Sequence, residues 1–142
     1  MTTTAIKYDI SLIQYMTFFE QATGASLKDC FVDTHLSLLT FVVDLGMIGK
    51  AVGKGGAMVH LLEQKFKRRL RIVEFHPEKL EFIKNMIMPL RVDSVREEEG
   101  IVYLESHDVK TKGLLIGRNA QNLRNLETNV RRYFEVKEIR IV

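Results

Sequence analysis

Val52-Gly53-Lys54-Gly55-Gly56 separates two apolar segments, and its reading decides the fold. A companion, Ile116-Gly117-Arg118-Asn119-Ala120, stands 64 residues later, from position 53 to position 117. Glycine turns tightly and lets a ligand approach the backbone. Ahead of a helix, such a turn presents unpaired N–H groups to an anion.

Working outward from the first loop, Met58, Val59, Leu61, Leu62 and Phe66 recur at helical spacing, and Leu70-Arg71-Ile72-Val73 alternates like a strand. On the other side, Asp44 is placed to cap a short helix from Leu45 through Met47, Ile48, Ala51 and Val52. Gly46 and Gly49 weaken its propensity. Upstream, Tyr8, Leu12, Tyr15 and Phe19 predict a helix ending near Thr23-Gly24, after a loose start over Thr2 to Ala5. Leu27 to Val32 and Leu38 to Val43 read as strands joined through Asp33-Thr34-His35.

His76-Pro77 marks a boundary. Leu80, Ile83 and Ile87 then continue a helix that Pro89 stops. Leu90 to Val95 and Ile101 to Leu104 predict two strands with a solvated acidic turn around Glu97-Glu98-Glu99-Gly100. A short helix from Val109 to Ile116, the second loop, a helix carrying Leu123, Leu126 and Val130, and a strand from Val136 to Val142 complete the chain. Each half thus runs helix, two strands, short helix, glycine loop, helix, strand. The halves even end alike, in Leu70-Arg71-Ile72-Val73 and Ile139-Arg140-Ile141-Val142. The order predicts a duplicated α+β unit, with domains over residues 5–75 and 76–142.

A formal charge of +3 is too small to identify a partner, but its distribution is informative. Residues 50–71 hold seven basic side chains and one acidic, and residues 110–142 hold eight and three. The segments before them are acidic, so each loop lies in or beside local positive potential. Hydrophobic content of 46% is enough for real cores. Cys30, the one cysteine, excludes an intrachain disulfide and fits a reducing, cytoplasmic setting as a buried thiol. Four scattered histidines give no metal cluster, and no stretch approaches 18 uninterrupted apolar residues, so neither secretion nor membrane spanning is expected.

The loops fail the enzymatic motifs. Gly49-Lys50 is followed by Ala51 rather than Ser or Thr, with Asp44 where a Walker A loop needs its first glycine, so nucleotide hydrolysis is not expected. Gly53, Gly55 and Gly56 have the wrong spacing for a dinucleotide fingerprint. No arrangement selects a nucleophile or an acid–base pair, so neither catalysis nor a cofactor is expected.

What the pattern does fit is a clamp on single-stranded nucleic acid. Gly53 closes one helix and Gly56 opens the next, leaving Lys54 and Gly55 to approach a backbone phosphate. Ile48 and Val52 are candidates for one wall of a base-binding groove, with Leu38 to Val43 as the other, and Ile116 is the second half's counterpart. Lys65, Lys67, Arg68 and Arg69 either extend the basic surface or form a solvated helix end, and Arg124, Arg131 and Arg132 read the same way. Tyr133 and Phe134 read as core residues.

Ile/Val-Gly-x-x-Gly between two helices resembles the signature of the KH domain, and Val52 to Gly56 satisfies it in full. The chain looks like a tandem of type II KH domains, most closely the archaeal NusA-like transcription factors, over residues 5–142. Leu115 to Leu123 strengthens the likeness. The resemblance implies two small three-stranded mixed sheets packed against helices. It also implies single-stranded RNA binding through Gly53, Lys54, Gly55, Gly56, Gly117, Arg118 and Asn119, in a groove for about four nucleotides. It further implies a role in transcription termination or antitermination on nascent RNA, with RNA polymerase or another transcription factor as a partner. A ribosome-assembly or translational RNA-binding factor, and a protein adapter with degenerate KH domains, are the alternatives. The second loop departs from the signature at Ala120, whose methyl group either fits, if the local dihedrals are helical, or weakens the approach to the backbone.

Overall fold

Leu38–Val43, rich in β-branched and aromatic side chains, forms β2, the central strand of the first of two sheets. The computed structural model describes residues 10–33 and 35–142. The expected loose start at Thr2 to Ala5, the helical position Tyr8 and the turn residue Thr34 lie outside them. The chain divides between His76 and Pro77 into two compact units.

In the first unit, α1 (Ile10–Thr23) leads into β1 (Leu27–Asp33), which pairs antiparallel with β2. The chain then crosses over through α2 (Ile48–Val52) and α3 (Ala57–Phe66) and returns as β3 (Leu70–Glu74), parallel to β2 with Leu39 opposite Leu70. A parallel partner needs such a crossover, and the glycine loop sits at its midpoint. Phe19, Cys30, Leu39, Phe41, Val43, Ala51, Leu62 and Leu70 form the buried cluster between helices and sheet. Phe19 stacks on Phe41 with ring centroids 4.3 Å apart. Cys30 is a buried free thiol.

The second unit repeats this order with α4 (Lys79–Ile87), β4 (Ser94–Glu98), β5 (Ile101–Glu105), α5 (Val109–Ile116), α6 (Gln121–Val130) and β6 (Glu138–Ile141). β5 is central, antiparallel to β4 and parallel to β6. Val102, Leu104, Leu115, Leu123, Leu126, Val130 and Ile139 are buried in it. The phenyl ring of Phe82 meets Tyr133 edge-on at 5.3 Å and Phe134 at 5.7 Å, so both aromatics pack against the helix before the sheet.

One hydrogen bond marks the duplication beyond its topology. Glu63 on α3 accepts the Leu70 N–H at 3.1 Å, and Glu127 on α6 accepts the Ile139 N–H at 2.7 Å. In both units a carboxylate on the helix after the loop takes an N–H of the returning strand.

Several sequence-based boundaries move. The short helix begins at Ile48, not Leu45, and Asp44 does not cap it with its side chain. Instead the Asp44 carbonyl accepts the Met47 N–H at 3.0 Å, and Gly46 turns with φ 87°. The first strand of the second sheet covers Ser94–Glu98 rather than Leu90 to Val95, so Glu97 and Glu98 lie in the strand opposite Val102 and Ile101. Only Glu99 and Gly100, at φ 52° and 84°, make the turn, the pair of positive φ values that a tight hairpin demands. β6 starts at Glu138 rather than Val136, and the Arg131 guanidinium donates to the carbonyls of Val136 and Lys137, at 2.9 and 2.6 Å.

Glu127→Ala leaves the Ile139 N–H buried without a partner. It should lower the unfolding free energy by about 2 kcal/mol, read by urea denaturation, with early loss of hydrogen-exchange protection at Ile139.

Candidate nucleic-acid interface

The two loops have the same backbone, position by position. α2 ends as the Gly53 N–H donates to the Gly49 carbonyl at 3.0 Å, and α5 ends as the Gly117 N–H donates to Gly113 at 2.9 Å. Gly53 (φ 76°, ψ 169°) matches Gly117 (φ 73°, ψ 178°). A single tight turn follows in each, closed by Gly56 N–H to Gly53 at 3.2 Å and Ala120 N–H to Gly117 at 3.3 Å. Gly55 (62°, 21°) matches Asn119 (56°, 30°), and Gly56 (78°, 13°) matches Ala120 (60°, 22°). The middle residues Lys54, Gly55, Arg118 and Asn119 are exposed, whereas Gly53, Gly56, Gly117 and Ala120 are half-buried.

Of the two outcomes the sequence left open at Ala120, the structure has the angular change, with left-handed dihedrals. The conformation costs an L-residue roughly 1–2 kcal/mol. Asn119 tolerates the same region better, because Asn is enriched there among non-glycine residues.

Each first glycine is fixed by contact as well as by angle. A Cβ at Gly53 would stand 3.0 Å from both Cβ and N of Met58, and one at Gly117 would stand 2.6 Å from Cγ of Asn122. A Cβ at Gly55 would meet nothing within 4 Å. So the outer glycine lets the two helices close together, and the inner one leaves the loop's tip open.

The electrostatics of the loop follow from what is missing at its helix starts. Neither α3 nor α6 has an acidic residue in its first turn, and neither N-cap residue, Gly56 or Ala120, offers a side chain to the first N–H groups. No side chain answers the positive end of either helix, although the first N–H of each, at Ala57 and Gln121, donates to the Lys54 and Arg118 carbonyls. α5 shows the contrast. Asp108 caps it, accepting the Thr111 hydroxyl at 2.6 Å and the Thr111 N–H at 3.3 Å. The Thr111 hydroxyl is the main cause holding the Asp108 carboxyl below the usual carboxylate range.

The groove candidates divide. Ile48 packs half-buried on the first core. Val52 and Ile116 are half-buried beside the buried Ala51 and Leu115. The expected second wall, Leu38 to Val43, is central, and Leu39 to Val43 are fully buried. The strand packed against α2 is β3. Each unit carries its own loop: Gly53 to Gly56 in the first, Gly117 to Ala120 in the second.

No protein-family model matches the chain. The probable transcription termination protein NusA of Methanococcus vannielii is 30% identical over 141 residues, which span 96% of this chain and 80% of that protein. Its counterpart in Halobacterium salinarum is 30% identical over 132 residues, covering 90% of this chain and 92% of the relative. That of Methanocaldococcus jannaschii is 26% identical over 133 residues, covering 92% and 72%. The crystal structure of APE1850 matches with a TM-score of 0.74 at 26% identity, covering 95% of this chain and 100% of that one. The chain belongs to the archaeal NusA family.

Three residues of this NusA-family chain were given no role at the loops by their sequence. Met58 and Asn122 fill the space that the first glycine of each loop leaves, and the Asn122 amide also donates to the Leu114 carbonyl at 2.9 Å, tying α6 to the end of α5. The exposed His60 sits at the rim of the first loop, its Nε2 3.9 Å from where a Cβ of residue 56 would stand. The spacing from Gly56 to His60, one helical turn, is the available signal. Among the described residues, no group of three or more His, Cys, Asp and Glu side chains can hold a metal ion. Likewise, no helix among them is long and apolar enough to cross a membrane.

Two substitutions separate the glycine roles. Ala120→Gly relieves the left-handed alanine and should raise stability by up to about 1 kcal/mol, whereas Gly117→Ala forces the Asn122 side chain away and should lower it by more than that. Thermal unfolding of both variants beside the parent chain checks the signs.

Proposed function

We propose that this chain is a non-catalytic, single-stranded RNA-binding protein of transcription termination or antitermination, built from two type II KH-like units. The observation that carries the reading is the pair of loops with one backbone, each aiming an exposed cation and a glycine or asparagine away from the fold. In the first unit, the positive end of α3, which no side chain caps, and the Lys54 ammonium bind a phosphate of the RNA backbone. Bases then lie along Val52 and the exposed part of Ile48, in a cleft narrow enough to exclude a duplex. Gly117, Arg118 and Asn119, with Ile116 behind them, act in the same way in the second unit, where Ala120 and Asn119 fix the loop more stiffly. The name borne by the NusA relatives supports a nascent transcript as the RNA, with RNA polymerase or another transcription factor nearby.

The test is the double substitution Lys54→Asp with Gly55→Asp. Gly55 lies in open space, and aspartate tolerates left-handed dihedrals better than most residues, so the fold should survive. Affinity for short single-stranded RNA should fall by roughly ten-fold or more as a cation becomes two anions. Fluorescence anisotropy at fixed salt measures it, with circular dichroism to check the fold. Unchanged affinity would remove the clamp.

A further inference from the structure

The exposed face of α3 runs away from the first loop and ends on a cluster of cations that the loop does not use. Ala57, His60, Leu61, Gln64 and Lys65 lie along it, three or four residues apart, and all are exposed. None is acidic. The one acid of α3, Glu63, is turned to the sheet, where it accepts the Leu70 N–H. Ten residues of helix carry this face about 15 Å from the loop.

At its far end stand Lys67, Arg68 and Arg69. Their charges are unanswered: among the described residues none of the three enters an ion pair, whereas Arg71 beyond them is paired with Asp33 at 3.4 Å. Lys67 and Arg69 are exposed, and Lys65 is held over the Phe18 ring at 5.1 Å. Lys67 also occupies the left-handed C-cap of α3, at φ 55° and ψ 40°, where glycine is the residue the backbone favours. A lysine there sacrifices local comfort for a charge. The matching end of α6 differs, since the Arg131 guanidinium is spent on the Val136 and Lys137 carbonyls.

We propose that Lys67, Arg68 and Arg69 form a second phosphate-binding station, reached by an RNA strand that leaves the first glycine loop along the exposed face of α3. The inference rests on the loop being an RNA clamp, and it adds a direction of travel and a minimum length to that reading. A tetranucleotide fills the loop alone, and a longer strand gains the distant cations.

The full chain is titrated with a four-nucleotide and a twelve-nucleotide single-stranded RNA over a range of salt. Lys67→Gly should bind the longer RNA roughly five-fold more weakly and the tetranucleotide unchanged, with a Tm equal to or above the parent's, because glycine suits the cap. Replacing Lys67 by Gly and Arg68 and Arg69 by Gln together should lower the salt slope for the longer RNA by about 2, at about 0.7 for each lost phosphate contact. Lys54→Asp with Gly55→Asp weakens both RNAs and serves as the control. If that control loses binding while the triple variant keeps full affinity for the longer RNA, the station is overturned and the clamp stands. Equal weakening of both RNAs by Lys67→Gly would make the cluster a diffuse field, which also overturns it. Loss of polyglutamate binding with RNA affinity retained would assign the cluster to an acidic polypeptide instead. A parent chain that binds neither RNA defeats the clamp, and the station with it.

Discussion

The glycine at the head of each loop has no room for a side chain, and the crossover in each unit depends on that. A Cβ at residue 53 or 117 would press on Met58 or Asn122, the second residue of the next helix, and push that helix away. That helix carries Leu62 or Leu126 into a core, and it carries the glutamate that holds the returning strand. Moving it would therefore disturb the parallel pairing of β2 with β3, or of β5 with β6. The feature that looks like a binding motif is first a packing requirement. Only the two exposed residues inside the loop are left free for a ligand.

The two copies use that freedom differently. In the first loop Gly55 and Gly56 both take left-handed dihedrals without penalty, and a Cβ at either would touch nothing closer than 3.9 Å. In the second, Asn119 and Ala120 take the same dihedrals at a cost, and Asn122 bridges to Leu114 across the helix junction. A residue forced into an unfavourable region persists only when its surroundings determine it. Here the stapling of α6 to α5 supplies that determination. The first loop keeps more backbone freedom and a lysine, the second less freedom and an arginine.

Much of this was legible because apolar period and glycine spacing are local signals. The order of elements, the loop positions and the presence of both returning strands follow from residues such as Leu62, Phe66 and Ile139, whereas the mixed sheet came only with the resemblance. The misreadings come from side chains with two possible uses. Asp44 looked like a helix cap, but Gly46 is diverted by the Glu74 carboxylate, which accepts its N–H at 2.7 Å, so the helix starts later. Glu97 and Glu98 looked like a turn, yet β4 is an edge strand whose side chains there stay in solvent, and strand pairing outweighs their charge. Leu38 to Val43 looked like a groove wall. Whether a strand is central or at an edge is a property of the whole sheet, which no window of sequence contains.

The charge pattern is sharper in the fold than in the chain. Several acidic side chains are taken up by backbone N–H groups where elements start or turn. Glu20 takes the Leu27 N–H at 2.9 Å, Asp33 that of Leu36 at 3.0 Å, Glu63 that of Leu70 and Glu127 that of Ile139. Strand and turn N–H groups demand acceptors, and nearby carboxylates meet the demand. Lys54, Arg118, Lys67 and Arg69 have no such employment and remain exposed. A modest net charge of +3 thus conceals a local arrangement, in which Glu63 and Glu127 on the helices after the loops serve the backbone while Lys54 and Arg118 stay exposed. That arrangement leaves a basic side chain exposed at each loop without a strongly basic composition. It also explains why the total charge of the chain said so little about its partner.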